Sequence, residues 1–125
     1  MQLIHSILKQ YWGHESFRPL QEKIINAVLQ GKDVLALLPT GGGKSVCFQV
    51  PAIKMDGLCL VVSPLIALMK DQVENLRKKG ITAFAICSGM SRKEVTHTLK
   101  TASGSNCKFL YGYRRRPLLF NEQRF

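Results

Sequence analysis

Long apolar runs are missing from this sequence. The longest clear ones, Val34–Leu38 and Leu58–Val62, have five residues each. A membrane-spanning helix needs about 20, so no segment is expected to cross a bilayer. The opening stretch, MQLIHSILKQYWGHE, has neither a basic start nor an extended apolar core, so it is not expected to act as a signal peptide. No C-x-x-C pair occurs among the four cysteines, Cys47, Cys59, Cys87 and Cys107, which argues against a zinc site. Three of the four lie in apolar stretches and read as buried, reduced thiols of a cytoplasmic protein. Acidic residues are scarce: 8 Asp and Glu face 18 Lys and Arg, for a net charge of +10 and a pI near 9.8. A polyanion is therefore the expected kind of partner, although charge speaks to partners and not to fold. Internal repeats and low-complexity tracts are absent, and no linker precedes residue 100. With 46% hydrophobic and 21% charged residues in a chain of 125, disorder throughout is excluded.

What is present alternates. Leu3, Ile4, Ile7, Leu8 and Tyr11 recur at helical spacing until Gly13. Pro19 is placed to open a second helix, where its missing N–H costs nothing, and Gly31 to close it. Val34–Leu38 reads as a strand buried on both faces. A helix near Lys44–Val50, a strand at Leu58–Val62, and a helix capped by Ser63 and started by Pro64 follow, with Gly80 as its stop. Ala83–Cys87 reads as the third strand. Ser91 and Glu94 form a capping box for a helix to about Ala102, and Lys108–Tyr111 is the fourth strand. Strands alternating with helices imply an α/β fold with a parallel sheet and right-handed crossovers, ligands binding at the carboxyl ends of the strands.

Leu37-Leu38-Pro39-Thr40-Gly41-Gly42-Gly43-Lys44-Ser45 carries the clearest chemistry. Three glycines let backbone N–H groups close around phosphate oxygens, and the next helix points its positive end at the same place. Lys44 can reach β- and γ-phosphates, and the Ser45 hydroxyl can ligate Mg²⁺. The strict phosphate-loop pattern asks for Gly where Leu38 stands; T-G-x-G-K-S remains, a variant frequent in helicase-type nucleotide binders. A glycine-rich turn with a chance lysine, or another phosphate-loop enzyme such as a small kinase, are the rival readings.

The flanks decide between them. Phe17-Arg18-Pro19-Leu20-Gln21 lies upstream, and Ser63-Pro64-Leu65-Ile66-Ala67-Leu68-Met69-Lys70-Asp71-Gln72 downstream. With L-P-T-G-G-G-K-S between them, these blocks closely resemble the RecQ family of ATP-dependent DNA helicases, of the second helicase superfamily. The resemblance covers about residues 3–111. It implies a partial RecA-like phosphate-loop domain, a parallel sheet flanked by helices, preceded by a helical adenine-reading segment. Its divisions are 1–32 for that segment, 33–111 for the partial ATP-binding lobe, and 112–125 for a divergent basic tail. Lys44 is the implied catalytic residue. His14, Arg18, Gln21, Thr40, Gly41, Gly42, Gly43, Lys44 and Ser45 would hold ATP, with Ser45 on Mg²⁺. Arg18 and Gln21 would sit by adenine, and His14 stands where the family usually stacks a tyrosine. Ser63 and Lys70 would face single-stranded or forked DNA, with Ser88-Gly89 as a further phosphate contact or a plain turn. The function implied is ATP-driven DNA unwinding in the 3′ to 5′ direction, with roles in DNA repair and recombination.

Hydrolysis needs a Mg²⁺-holding carboxylate at a neighbouring strand end. The eight acidic residues include no adjacent pair after an apolar run, and the family's D-E-x-H box is absent. The family's second motor lobe and its arginine finger are absent as well. The 125 residues are therefore expected to be a truncated lobe, inactive alone. The alternatives are a non-catalytic nucleotide- or DNA-binding fragment, and a remnant that does not fold. After Phe109-Leu110-Tyr111 the family pattern breaks at Gly112–Pro117, which holds Arg114–Arg116, and Leu118–Phe125 again looks family-like.

Overall fold

The computed structural model describes residues 3–38, 43–87 and 89–113. The stretches Arg114–Arg116 and Leu118–Phe125, singled out in the sequence, lie outside the described residues, as do Thr40, Gly41, Gly42 and Ser88. The chain divides into two compact units, Met1–Gly57 and Leu58–Phe125.

The first unit is helical. α1 spans Ile4–Trp12 and buries Ile4, Ile7 and Leu8. Gly13 stops it in the left-handed region at φ 75°, its N–H donating to the Lys9 carbonyl, a backbone geometry glycine adopts without penalty. α2 spans Gln21–Leu29. It starts two residues after Pro19, because Arg18–Leu20 first make a turn in which the Gln21 N–H donates to the Arg18 carbonyl. Leu20 pays for that turn with φ 72°, the one positive φ of a non-glycine residue among those described. α3 spans Lys44–Lys54 and runs four residues past the sequence expectation, with Pro51 buried inside it. Ile4, Ile7, Ile25 and Val50 form the core, with Tyr11, Trp12, Phe17, Leu29, Val46 and Ile53 packed around it.

Val34–Leu38 is not a strand. Leu35 and Leu37 are 87% and 83% exposed, and no ladder forms there. A strand exists only through a partner's hydrogen bonds. The described part of its own unit offers no extended segment to supply them.

Among its described residues the second unit is a three-stranded sheet with two helices. β1 is Cys59–Ser63, β2 Ala83–Ile86 and β3 Phe109–Tyr113. The order is β1-β3-β2, and both pairs are parallel. Residues 59, 109 and 83 stand abreast, as do 61, 111 and 85. α4, Ile66–Lys78, covers this face with Met69, Val73 and Leu76, against Phe109, Tyr111 and Ala83. Gln72 of α4 accepts a 2.7 Å hydrogen bond from the Tyr111 hydroxyl. The opposite face is not equally covered. α5, Arg92–Gly104, packs on β2, while Leu60 and Val62 of β1 stay 68% and 58% exposed. β1 is thus covered on one face only, because the helix on the other side, α5, packs on β2. Leu65 and Leu68 of the Ser63–Gln72 block, whose apolar character suits a core, are likewise exposed.

Tyr111→Phe is expected to cost about 1–2 kcal/mol, because it leaves the Gln72 oxygen without its hydroxyl donor in a part-buried place. A urea titration against the unsubstituted chain measures it. An unchanged midpoint would remove this bond from the account of the sheet–α4 packing.

Candidate functional site

The best-defined polar feature of the first unit is the Gln21 carboxamide. Gln21 is 3% exposed at the start of α2. Its oxygen accepts the Arg18 N–H at 2.8 Å. Its amide nitrogen donates to the Gly43 carbonyl at 3.0 Å. One side chain therefore joins the Phe17–Gln21 turn to Gly43, the last of three consecutive glycines, 22 positions away. The turn forms locally because Pro19 presets φ at its centre. Gln21 then lies one helical turn before Ile25 and shares its buried face.

Gly43 is the N-cap of α3 with φ 77°. A Cβ added there would collide with Gln21 Nε2 and lie 3.8 Å from Arg18 Cδ. Both sterics and backbone conformation thus require glycine. α3 has no side-chain cap and no acidic residue in its first turn. A helix N-terminus of this kind favours an anion through its N–H groups and its dipole. Lys44 is its first residue, with an exposed side chain, and Ser45 follows, half-buried. Arg18 and His14 are exposed. Phe17 packs on the core and meets His5 edge-on at 5.0 Å between ring centres, as expected for a residue that anchors the turn.

Cys47 lies one turn into α3, buried, with its Sγ directed at the Gly43 carbonyl at 3.8 Å. Burial pushes its thiol above the ordinary value of 9.0, against a smaller lowering by the backbone hydrogen bond. Burial also raises Cys59, opposed by Lys108, and Cys107. The folded state thus holds these protons more tightly than the unfolded chain, and stability falls as pH rises past 9.0. The thiolate is the reactive form. Iodoacetamide is therefore expected to label Cys47 at least about tenfold more slowly in the native chain than in urea. Peptide mapping by mass spectrometry checks this, and equal rates would show that α3 is not packed as described.

In the second unit, Ser63 does not cap α4. Its hydroxyl accepts the Leu65 N–H at 3.2 Å in a short turn, and α4 begins later, at Ile66, with Leu65 as N-cap. Leu65 is extended, at φ −116° and ψ 104°, so the helical conformation starts only after it. Lys70, exposed on α4, lines a cavity of about 630 Å³ together with Arg77, Glu74, Cys87, Gly89 and Met90. That cavity lies at the carboxyl end of β2, where parallel sheets present ligand sites. Arg77 was not singled out by the sequence. Its Nε donates to the Ala83 carbonyl at 2.9 Å and its guanidinium lies 5.2 Å from the Phe84 ring centre. Only contact across the fold reveals it. The Cys87 N–H donates to Met90 Sδ at 3.1 Å, closing the loop that carries Gly89.

Among the described residues no cluster of His, Cys, Asp and Glu could hold a metal. No helix there is long and apolar enough to cross a membrane.

Residues 18–124 match the family described as DEAD/DEAH box helicase. Among curated proteins, the ATP-dependent DNA helicase RecQ of Synechocystis is 44% identical over 110 residues, which are 88% of this chain and 23% of that protein. RecQ of Haemophilus influenzae is 45% identical over 106 residues, 85% of this chain and 17% of that protein. The probable ATP-dependent DNA helicase RecS of Bacillus subtilis is 44% identical over 112 residues, 89% of this chain and 22% of that protein. The chain thus spans about a fifth of the length of these relatives.

Proposed function

Because this chain belongs to the DEAD/DEAH box helicase family and is RecQ-like within it, we propose that its first unit binds ATP with Mg²⁺ and that the whole protein spends ATP to unwind DNA in the 3′ to 5′ direction. The observation that carries the nucleotide reading is the Gln21 carboxamide, which holds the Arg18 turn and Gly43 together in one unit. Base-reading and phosphate-holding segments are thereby set at a fixed separation.

In this proposal Thr40, Gly41, Gly42 and Gly43 surround the phosphates, and Lys44 neutralises their charge. The Ser45 hydroxyl holds Mg²⁺, which would draw charge from the phosphate oxygens when bound. Arg18 and Gln21 flank adenine, and His14 stacks on it. The uncapped, acid-free start of α3 suits this donor set. Ser63 and Lys70 face single-stranded or forked DNA, Lys70 from the cavity beside Gly89. Residues 1–32 serve as the adenine-reading segment, 33–111 as part of the ATP-binding lobe and 112–125 as a basic tail. A second motor lobe completes the enzyme, working in the cytoplasm on repair and recombination substrates.

No residue here supplies the D-E-x-H carboxylates, so the 125 residues bind nucleotide without turning it over. Titration with a fluorescent ATP analogue tests both parts. Binding is expected to strengthen with Mg²⁺ and to weaken roughly 10–100-fold in Lys44→Ala, the loss of one charge-assisted hydrogen bond. Binding indifferent to Lys44 would remove the assignment. Steady-state phosphate release that disappeared in the same variant would refute the second part.

A further inference from the structure

Helix α5 displays charge that its own fold does not use. Its half-buried residues are Val95, Thr98 and Ala102, and none is fully buried. Outward it presents Arg92, Lys93, His97 and Lys100 around a shallow concavity of about 590 Å³, with Thr96 between them. No ion pair among the described residues involves these four side chains. The helix's one acid, Glu94, is engaged in the capping box, where its carboxylate accepts the Ser91 N–H.

The placement is unfavourable for the helix itself. Arg92 and Lys93 occupy the first turn, where the macrodipole disfavours cations by a few tenths of a kcal/mol each. No acid stands four residues from them to compensate. Stability of α5 therefore does not account for this face.

We propose that the outer face of α5 binds a nucleic-acid phosphate backbone, as a second path separate from the cavity at the end of β2. The proposal rests on the reading of DNA as this protein's partner. From Arg92 to Lys100 the helix rises about 12 Å, so these cations are strung along a line and can follow a backbone past more than one phosphate. Long, exposed cations suit phosphates, which position a strand without reading its sequence. The concavity has no apolar lining residue, so it lacks the buried anchor on which a peptide interface depends. The Thr96 hydroxyl donates to the Arg92 carbonyl at 2.8 Å and is not counted as a contact.

The test uses the 125-residue chain, its Arg92→Gln/Lys93→Gln/Lys100→Gln variant, and Lys70→Ala. Anisotropy of a labelled single-stranded oligonucleotide is followed across a salt series. Each lost phosphate contact flattens the log–log salt slope by about 0.7. The triple variant is expected to flatten it by about 2 and to weaken low-salt binding by tenfold or more, at a melting temperature no lower than that of the unsubstituted chain. Glutamine keeps helix propensity and the capping box is untouched, so folding does not confound the result. An unchanged slope in the triple variant, with a flattened one in Lys70→Ala, overturns the proposal and leaves the DNA reading intact. Absence of DNA binding by the unsubstituted chain at low salt overturns both. A labelled polyglutamate peptide is titrated in parallel, and loss of its binding in the triple variant with DNA binding retained would make the face a peptide surface and overturn the proposal.

Discussion

Gly43→Ala is expected to destabilise the first unit by about 2–5 kcal/mol and to abolish measurable nucleotide binding. Two costs add. A non-glycine residue at φ 77° is strained by roughly 1–2 kcal/mol. The new Cβ would also occupy the place of Gln21 Nε2, and the displaced carboxamide forfeits its bonds to Gly43 and Arg18 in a buried place, about 1–3 kcal/mol more. At about 4 °C per kcal/mol for a chain of this size, the melting temperature falls by roughly 8–20 °C. A cycle with Gln21→Ala separates the two costs. Truncating Gln21 removes the atom that clashes, so Gly43→Ala should cost less in that background than alone, a non-additivity of about 1–3 kcal/mol. Strict additivity would mean that Gln21 and Gly43 do not meet, and the proposed bridge between base reader and phosphate loop would be lost with it.

Ile25→Ala is the second large effect, and it reaches the site through packing. Ile25 is fully buried among Ile4, Ile7 and Val50, and lies one turn from Gln21 on α2. Truncation of a buried isoleucine costs about 2–5 kcal/mol, through lost transfer energy and the cavity left behind. Val50 belongs to α3, the helix that Gly43 begins. Loosening the contact between α2 and α3 therefore loosens the hold of Gln21 on Gly43 as well. Nucleotide affinity is expected to fall together with the denaturation midpoint. Ile25→Val, which removes one methylene, should cost about 0.5–1.5 kcal/mol and leave affinity near that of the parent chain. Full affinity in a strongly destabilised Ile25→Ala would show that core and site are uncoupled.

The local signals were legible because their causes are local. Gly13 halts α1 by its φ, and Ser91 with Glu94 builds the capping box of α5. In each case the decisive bonds join residues three or four positions apart. Motif order alone pointed to the family, and the matched relatives agree. Errors arose where a partner elsewhere decides the outcome. Val34–Leu38 has the composition of a buried strand but remains without a ladder. Ser63 is a local misreading instead: it has the chemistry of a cap, but its hydroxyl accepts the Leu65 N–H two residues on.

The sequence by itself determined which residues are chemically equipped: Lys44 and Ser45 for phosphate and metal, Gln21 for a bifunctional amide, and an excess of cations. Only the tertiary structure decided their arrangement. It set the strand order β1-β3-β2, placed Lys70 and Arg77 on one cavity, and left Arg92, Lys93 and Lys100 together on an unpaired face. It also bonded Gln21 to Gly43 across 22 positions. The reason is the range of the forces involved. Caps and turns are resolved by bonds within one helical turn, whereas pairing and packing compare distant segments whose apolar patterns are nearly interchangeable.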